Sequence, residues 1–506
     1  MKPLFLLAGL AATGWSAQLF AQKQPNIIFI MTDQQRGDAI GCAGNEKIIT
    51  PNIDRLAADG YYFRHAYTAA PSSTPARAGL LTGLSPWHHG MLGYGVVAEH
   101  YRYEMPRMLR ESGYFTLGLG KMHWTPQNAT HGFHATLVDE SGRVESPYFM
   151  SDYRKWFQLV APGKNPDATG IGWNDHGARV YQLAEEMHPT VWTGNVAVET
   201  IRHYEGDRPL FLKVSFARPH SPYDPPQRVL DLYKDIDVDG PVQAEWSSHI
   251  GENMTRPEQR SDAPYGQFGE EYVKNSKKHY YASVTFIDEQ VGRIIAALKE
   301  KGMYDNTIIC FTADHGDMMG DHNHWRKTYA YEGSTRIPYI VKFPKSMTTV
   351  RPAGSTIDQP VELRDFLPTF LEAAGAEIPA DMDGCSLSRL VTQEKPEWRR
   401  WIDMEHATCY SNDNYWCALT DGELKYIWFV RTGKEQLFDL RKDPQETRNL
   451  VDSRRYRDEL ATLRAAMVEH LSERGEEWVK DGKLVTRKST LLYSPNYPRK
   501  AAPKKK

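Results

Sequence analysis

The chain has 506 residues, with 61 Lys and Arg against 64 Asp and Glu and a formal net charge of −3 at pH 7. Its 41% hydrophobic, 25% charged and 11% aromatic residues are those of a folded globular protein, which excludes a disordered or collagen-like chain and a minimal scaffold. Near-zero net charge argues against a dedicated nucleic-acid binder, which carries a basic surplus or stripe. Function has to be read from local sites.

At the N-terminus, Met1-Lys2-Pro3, an apolar run over 4–12 and the small residues Ala17 and Ala21 form the pattern of a secretory signal peptide over 1–21, cleaved after Ala21. No later segment approaches the roughly 18 uninterrupted apolar residues of a membrane-spanning helix. A soluble protein, periplasmic or secreted, is expected. The five cysteines, Cys42, Cys310, Cys385, Cys409 and Cys417, show no C-x-x-C spacing and so do not indicate a zinc or iron–sulfur site. Cys409 and Cys417 are close enough to pair in an oxidising compartment, and both also fit as buried free thiols.

The first β run is 26–31. A helix follows, with Thr50 as its N-cap and Pro51 in its first turn. Further strands are predicted at 114–119, 210–216, 307–312 and 339–343, and helices at 102–112, 191–204, 270–301 and 361–375. This alternation predicts an α/β domain over 22–400, with a large, mostly parallel central sheet flanked by helices. The polar, Pro-containing stretch 221–268 reads as a long surface excursion. Beyond 400, β runs at 426–430 and 436–440 around Thr432-Gly433-Lys434 predict a hairpin, and a charged helix is expected at 455–474. Together they indicate a smaller C-terminal α+β subdomain over 401–485, followed by a basic tail over 486–506.

Asp33 and Gln34 directly follow the first strand, and Asp314 and His315 follow the strand at 307–312. Groups just beyond the carboxyl ends of strands line the crevice of an open α/β sheet. Two carboxylates, an amide oxygen and an imidazole form a donor set for a hard divalent cation, although either pair alone reads equally well as a loop cap. The run from Pro71 to Gly83 predicts a helix starting near Pro75, with Ser73 at its N-terminal approach. Free backbone N–H groups there, together with Arg77, suit a tetrahedral oxyanion. Read alone, Ser73 would be a helix cap.

Ser73-Thr74-Pro75-Ala76-Arg77, followed by Leu81-Thr82-Gly83, resembles the signature of the type I, formylglycine-dependent sulfatases of the alkaline phosphatase-like superfamily, in its serine form. Other landmarks of that family follow in order: Asp33-Gln34, Gly120-Lys121-Met122-His123, Ala217-Arg218-Pro219-His220, Thr312-Ala313-Asp314-His315-Gly316, Trp325-Arg326-Lys327 and Tyr331-Glu332-Gly333. With Gln436-Leu437-Phe438-Asp439-Leu440 as the family's closing strand, the resemblance covers nearly the whole mature chain. It implies the sulfatase fold and hydrolysis of a sulfate ester. Ser73 would be oxidised to formylglycine by a sulfatase-maturing enzyme, and its hydrate would attack sulfur in line. A divalent cation, Ca2+ in preference to Mg2+, would be held by Asp33, Gln34, Ser73, Asp314 and His315. Arg77 and His123 would hold the nucleophile, Lys121 and Lys327 the sulfate oxygens, and His220 or Lys327 would protonate the leaving oxygen. Gln34 and His315 stand where the commonest family pattern has an acidic residue and Asn.

Asp33-Gln34-Gln35-Arg36 and Gly320-Asp321-His322 also resemble the phosphonate monoester hydrolases and phosphodiesterases of the same superfamily, which is the alternative reading. A non-catalytic glycan-binding protein with unconverted Ser73 is a third. Candidates for substrate contact are Arg218, His322, His324, Trp325 and Arg326, with Trp87, His88, His89, Tyr94, Tyr223, Glu405 and His406 around the same cleft. Aromatic and hydrogen-bonding side chains suit a sugar. The expected partner is therefore a sulfated carbohydrate, cleaved in exo mode, with no nucleic acid and no stable membrane insertion.

Overall fold

Asn26–Asp33 forms strand β1 because its apolar side chains alternate between two layers. Ile27, Phe29 and Met31 face one layer with Phe366 and Phe370, whereas Ile28 and Ile30 face the other with Val198, Ile201, Ile287 and Val291. A strand covered on both faces needs such an uninterrupted apolar run. The structure, a computed structural model, describes residues 24–140, 143, 148–255 and 258–499. The expected signal peptide and the last residues of the basic tail lie outside the described residues.

The strands are β1 (Asn26–Asp33), β2 (Tyr61–Phe63), β3 (Ala66–Tyr67), β4 (Phe115–Gly120), β5 (Ala135–Leu137), β6 (Leu210–Pro219), β7 (Thr307–Ala313), β8 (Tyr339–Lys342), β9 (Thr356–Ile357) and β10 (Val361–Glu362). Eight of them form one sheet in the order β5-β4-β6-β1-β7-β8-β2-β9, with β3 and β10 paired beside it. β1 runs parallel to β6 and β7, and β4 parallel to β5 and β6. β8 is the reversed strand, antiparallel to both β7 and β2. The expected mostly parallel sheet is thus present. Helices α1 (Pro51–Asp59), α3 (Pro189–His203) and α4 (Glu270–Glu300) cover one face, and α2 (Ser73–Thr82) and α5 (Phe366–Ala373) cover the other.

Two local expectations change. Thr50 precedes α1 but does not cap it. Its hydroxyl accepts from Gly41 N at 2.8 Å, and the first amides of α1, at Asn52 and Ile53, donate to Asp288 Oδ1 on α4 at 3.0 and 2.7 Å. The expected helix at 361–375 is divided. Val361–Glu362 pairs with β3, a tight turn covers Leu363–Asp365, and α5 begins at Phe366. Reciprocal capping by Glu362 and Asp365 makes this break, since each side chain takes the other residue's end of the turn.

The C-terminal region holds an antiparallel sheet of β11 (Ile402–His406), β12 (Trp416–Thr420), β13 (Leu424–Phe429) and β14 (Glu435–Asp439), with α6 (Arg457–Ser472) behind it. β13 and β14 are the expected hairpin. One face of this sheet packs with Leu463 and Met467 of α6 and with Trp87, while the other meets Met318, Tyr329 and Tyr331. The 221–268 excursion connects these regions, since Trp246 Nε1 donates to Glu446 O at 2.9 Å and Gly266 N to Asn323 O at 2.8 Å. All five cysteines are free thiols, so Cys409 and Cys417 are not paired. Among the described residues, no helix is long and apolar enough to cross a membrane.

His88 joins the two parts of the chain through Asp383 at 2.8 Å and Glu473 at 3.1 Å. Its hydrogen bond to Asp383 is the main reason its pKa rises to about 9 from an ordinary value of 6.5. The folded form therefore binds the proton more tightly than the unfolded chain, and the stabilisation is complete below the unfolded pKa and disappears as pH rises through 9. The stability lost in His88→Gln is expected to be largest below about pH 6.5 and to vanish above the folded-state pKa, as read by urea unfolding across pH. Phe29→Ala, which removes a ring 4.8 Å from Phe366 and 5.9 Å from Phe370, is expected to lose about 3–5 kcal/mol in the same assay.

Candidate active site

Parallel pairing brings the carboxyl ends of four strands to one edge of the sheet. Asp33 ends β1 opposite Pro219 of β6, Thr32 pairs with Ala313 of β7, and Gly120 of β4 pairs with Ser215. Gly120 has φ of +81°, and a Cβ there would lie 2.1 Å from Ser215 O. Only glycine fits this turn, which delivers Lys121 to the crevice with its N–H on Ser215 O at 2.8 Å. From the other side comes α2, all ten residues of which are buried. It starts at Ser73, two residues earlier than expected, with Pro75 still inside the first turn, where a missing N–H costs nothing. Gly83 closes it at φ of +69°.

The site is a buried cluster of charge. Arg77 donates from Nη2 to Asp33 Oδ2 and from Nε to Asp314 Oδ2, both at 3.1 Å, while Nη1 reaches Lys121 O at 2.7 Å and Ser215 Oγ at 3.0 Å. Lys121 Nζ lies 2.7 Å from Asp33 Oδ2. Burial by itself would raise the Asp33 pKa, but the cations Lys121, Arg77 and Lys327 hold this carboxyl well below the usual range. Asp314 Oδ1 accepts the N–H groups of Gln34 and His315, each at 3.0 Å. Both carboxylates are therefore held in fixed positions.

Ser73 Oγ stands 3.0 Å from His315 Nε2 and 3.4 Å from Asp33 Oδ2. His315 Nδ1 faces the Gly316 carbonyl at 2.9 Å, which puts the ring proton on Nδ1 and a lone pair on Nε2. Burial lowers the His315 pKa and keeps that ring neutral. Asp33, Asp314 and His315 offer ligand atoms within 4.8 Å of one another, and Asp33 Oδ1 is buried with no hydrogen-bond partner. Two carboxylates and one neutral imidazole, with one oxygen orphaned, fit a hard divalent cation.

Gln34 is placed differently from the expectation. Its Oε1 accepts from Lys327 Nζ at 2.8 Å, and its Nε2 donates to Asp317 Oδ2 at 2.5 Å. Lys327 Nζ also lies 2.8 Å from His220 Nε2, while His220 Nδ1 faces Ser221 O at 3.0 Å, so Lys327 is the donor and His220 the acceptor. Burial, then the neighbouring Lys327 and Lys121, pushes the His220 pKa well down. Burial also brings Lys327 to about 8, with Asp33 pulling it up and Lys121 pushing it down. The proton of this pair therefore resides on Lys327 at neutral pH. His123 is buried with no partner on either ring nitrogen, and burial followed by Lys121 holds it neutral.

The residues expected to contact substrate divide. Trp325, a candidate for substrate contact, is instead fully buried and stacked on His176 with centroids 4.0 Å apart, which makes it a packing residue. His322 Nε2 pairs with Gln445 O at 2.9 Å beside Trp246. Arg326 lies over the Tyr410 ring at 4.7 Å and donates to Asp262 O. Arg218 is bound in two-pronged fashion to Asp224, at 2.8 and 3.1 Å, with only Nη1 lacking a partner. Trp87 packs on Trp478, His89 is buried, Tyr223 donates to Asp317 at 2.6 Å, Glu405 is paired with Arg474, and His406 Nε2 lies 2.8 Å from Ser72 Oγ. Tyr94, 53% exposed, stands 5.9 Å from the His123 ring and does face outward.

Three positioning groups have no local sequence signal. Asp317 fixes the Gln34 amide, and Glu140 Oε1 accepts from the N–H groups of Met122 and His123, both at 2.9 Å. Trp173 lies 5.2 Å from Lys121 Nζ and 5.2 Å from the His220 ring. It belongs to a loop without motif or periodicity.

Residues 25–376 match the Sulfatase family profile, and residues 320–473 match the profile described as N-sulphoglucosamine sulphohydrolase, C-terminal. An arylsulfatase of Clostridium perfringens is 38% identical, covering 91% of this chain and 97% of its own. A choline-sulfatase of Rhizobium meliloti is 31% identical, covering 87% and 85%. A solved structure of a protein in complex with its substrate D-glucosamine-2-N,6-O-disulfate has the same fold, with a TM-score of 0.71 at 23% identity over 89% of this chain and 98% of that one. Residues 25–376 carry the whole charge cluster, from Asp33 to Lys327, and the chain belongs to the sulfatase family as a sulfuric ester hydrolase.

Proposed function

We propose that this enzyme is exported and removes sulfate from the end of a sulfated carbohydrate, with Ser73 converted to formylglycine by a maturing enzyme and Ca2+ at the Asp33, Asp314 and His315 trio. The observation that carries this reading is the meeting of Ser73 Oγ with His315 Nε2 at 3.0 Å and Asp33 Oδ2 at 3.4 Å, at the N-terminus of a buried helix and beside Lys121 and Lys327. Serine itself is a poor nucleophile without a base, and no neutral imidazole here combines a base's pKa with access to solvent. Hydrated formylglycine would supply the nucleophilic hydroxyl, and the cation would supply positive charge beside it.

The chain's own groups account for the rest. Arg77 holds Asp33 and Asp314 in register, and the His315 tautomer keeps its Nε2 lone pair toward residue 73. Lys121 and Lys327 present ammonium groups to a sulfate in a water-poor site, where such charge is worth far more than in bulk solvent. His123, neutral and without a partner, is free to bond the nucleophile. Lys327 carries the proton for the leaving oxygen, and His220 Nε2 orients that ammonium. Gln34 would reach the ion only by sharing the oxygen that Lys327 now uses. Enclosure supports exo action, since Ser73, Lys121, His220 and Lys327 are all under 8% exposed. Trp173 and Tyr94 at the rim favour a sugar, whose faces stack on aromatic rings.

Protein from a host with serine-converting machinery is expected to lack the mass of two hydrogens in the Ser73 peptide and to release inorganic sulfate from members of a panel of position-defined sulfated sugars. Turnover of phosphodiesters or phosphonate monoesters with no sulfate release from any sugar would overturn the reading. Lys327→Ala is expected to slow sugar sulfates by about 10²–10⁴-fold and para-nitrophenyl sulfate much less, because nitrophenolate leaves without a proton. Equal losses on both substrates would remove Lys327 from the proton-donor role.

A further inference from the structure

A second cavity of about 480 Å³ lies away from Ser73, between the 221–268 excursion, the segment after Lys327 and the edge of the C-terminal sheet. It is within the volume range of small-ligand sites, and its wall is the mixture such sites show, apolar rings with a few polar groups among them. Trp246, Tyr265 and Tyr329 supply rings, and Asn414 and Gln436 supply amides. Asn414 uses its N–H groups on Thr328 and Cys409, which leaves its carbonyl oxygen as an acceptor. His324, on the same wall and 8% exposed, has no partner at Nδ1. Acid and base both occur on the rim, at Asp413 and Lys434, so the lining has no anion-binding character of its own.

The cavity adjoins the segment that carries Lys327. Lys327 and Tyr329 are two residues apart, a separation of at most roughly 7 Å along the chain, so one short segment carries the proton donor on one side and a cavity wall on the other. Between them stands Tyr410, half-buried, 4.7 Å from the Arg326 guanidinium and 6.1 Å from the Tyr329 ring. Its phenol is pushed up chiefly by burial, with the Tyr94 hydroxyl also close enough to contribute. Tyr410 thus lies between Arg326, next to Lys327, and Tyr329 on the cavity wall.

We infer that this cavity is a distal subsite for a neutral, hydroxyl-bearing sugar unit of the same chain whose terminal residue presents its sulfate ester to Ser73. Resting on the carbohydrate reading above, this makes the preferred substrate an oligosaccharide rather than a single sugar. Aromatic faces stack on the unit, and the Asn414 and Gln436 amides and His324 bond its hydroxyls. A sulfated unit in the cavity would meet no dedicated cation pair.

The test uses whichever position-defined sulfated sugar is turned over, as the monosaccharide and as the tetrasaccharide carrying it at the non-reducing end, with para-nitrophenyl sulfate as a third substrate. The wild-type enzyme is expected to show a KM about tenfold lower for the tetrasaccharide, equivalent to about 1.4 kcal/mol. Trp246→Ala, which removes a platform, and Ser411→Trp, which fills the cavity from an exposed turn, are each expected to abolish that advantage. Both should leave kcat on all three substrates and KM on the two small ones unchanged. Thermal melting confirms that each variant is folded, and the filling variant stands independently should loss of Trp246 unfold the chain. Equal KM values for mono- and tetrasaccharide in the wild type, or an advantage retained in Ser411→Trp, would overturn the subsite and leave the carbohydrate reading intact. Turnover of para-nitrophenyl sulfate with no turnover of any sulfated sugar would overturn both.

Discussion

Everything in the catalytic crevice depends on the Arg77 guanidinium. Asp33 ends β1 and Asp314 directly follows β7 beside it; both are 0% exposed and would repel each other in a medium that screens little. Arg77 reaches one with Nη2 and the other with Nε, while Nη1 ties the turn after β4 to Ser215 on β6. One side chain on α2 thereby sets the separation of two strand ends, the height of Lys121 and the position of residue 73, four places earlier on the same helix. Removing it would take from Asp314 its ion-pair partner and leave Asp33 to Lys121 alone, a defect of about 3–5 kcal/mol for a single broken buried pair. A lysine could not substitute, because a point charge cannot span two carboxylates at fixed angles.

The rest of the site is a gradation of charge around that pivot. Lys121 leans on Asp33, Lys327 on Gln34 and His220, and the imidazoles of His123, His220 and His315 are kept neutral by burial and by the cations beside them. Like charges this close raise the free energy of the empty crevice, and a bound sulfate ester relieves it. Specificity for an anion thus comes from cations gathered in one crevice of a protein with near-zero net charge, and needs no long-range field.

The strand ends were legible because β1 and β7 are short, continuously apolar and followed at once by polar residues. Periodicity placed these polar pairs at strand ends, but the resemblance to the sulfatases was needed to read them as a site rather than as loop caps, and the Ser73–Gly83 run carried its own punctuation. Pairings between distant segments left no such trace. Asp288 caps α1 from 235 residues away, and no local rule would prefer it to Thr50. Trp325 belongs to a landmark and read as a substrate contact, but the His176 stack that buries it depends on a loop with no pattern of its own. The amide of Gln34 illustrates the same limit: its identity as an oxygen donor was readable, but its direction is set by Asp317 and Lys327, which lie almost 300 positions away. The division of 361–375 was hidden because Glu362 and Asp365, acidic residues in a helical pattern, look like surface positions until they bond each other's backbone.

The burial of all ten residues of α2 also fixes an order of events. An enzyme that acts on Ser73 cannot reach a side chain of 0% exposure beneath a closed sheet edge, so it has to meet the chain before this helix docks. On the formylglycine reading, the chemical identity of residue 73 would then be decided before folding. On that reading, a chain that folded with its alcohol intact would be beyond repair, and fold quality and catalytic competence would be separate properties of a preparation.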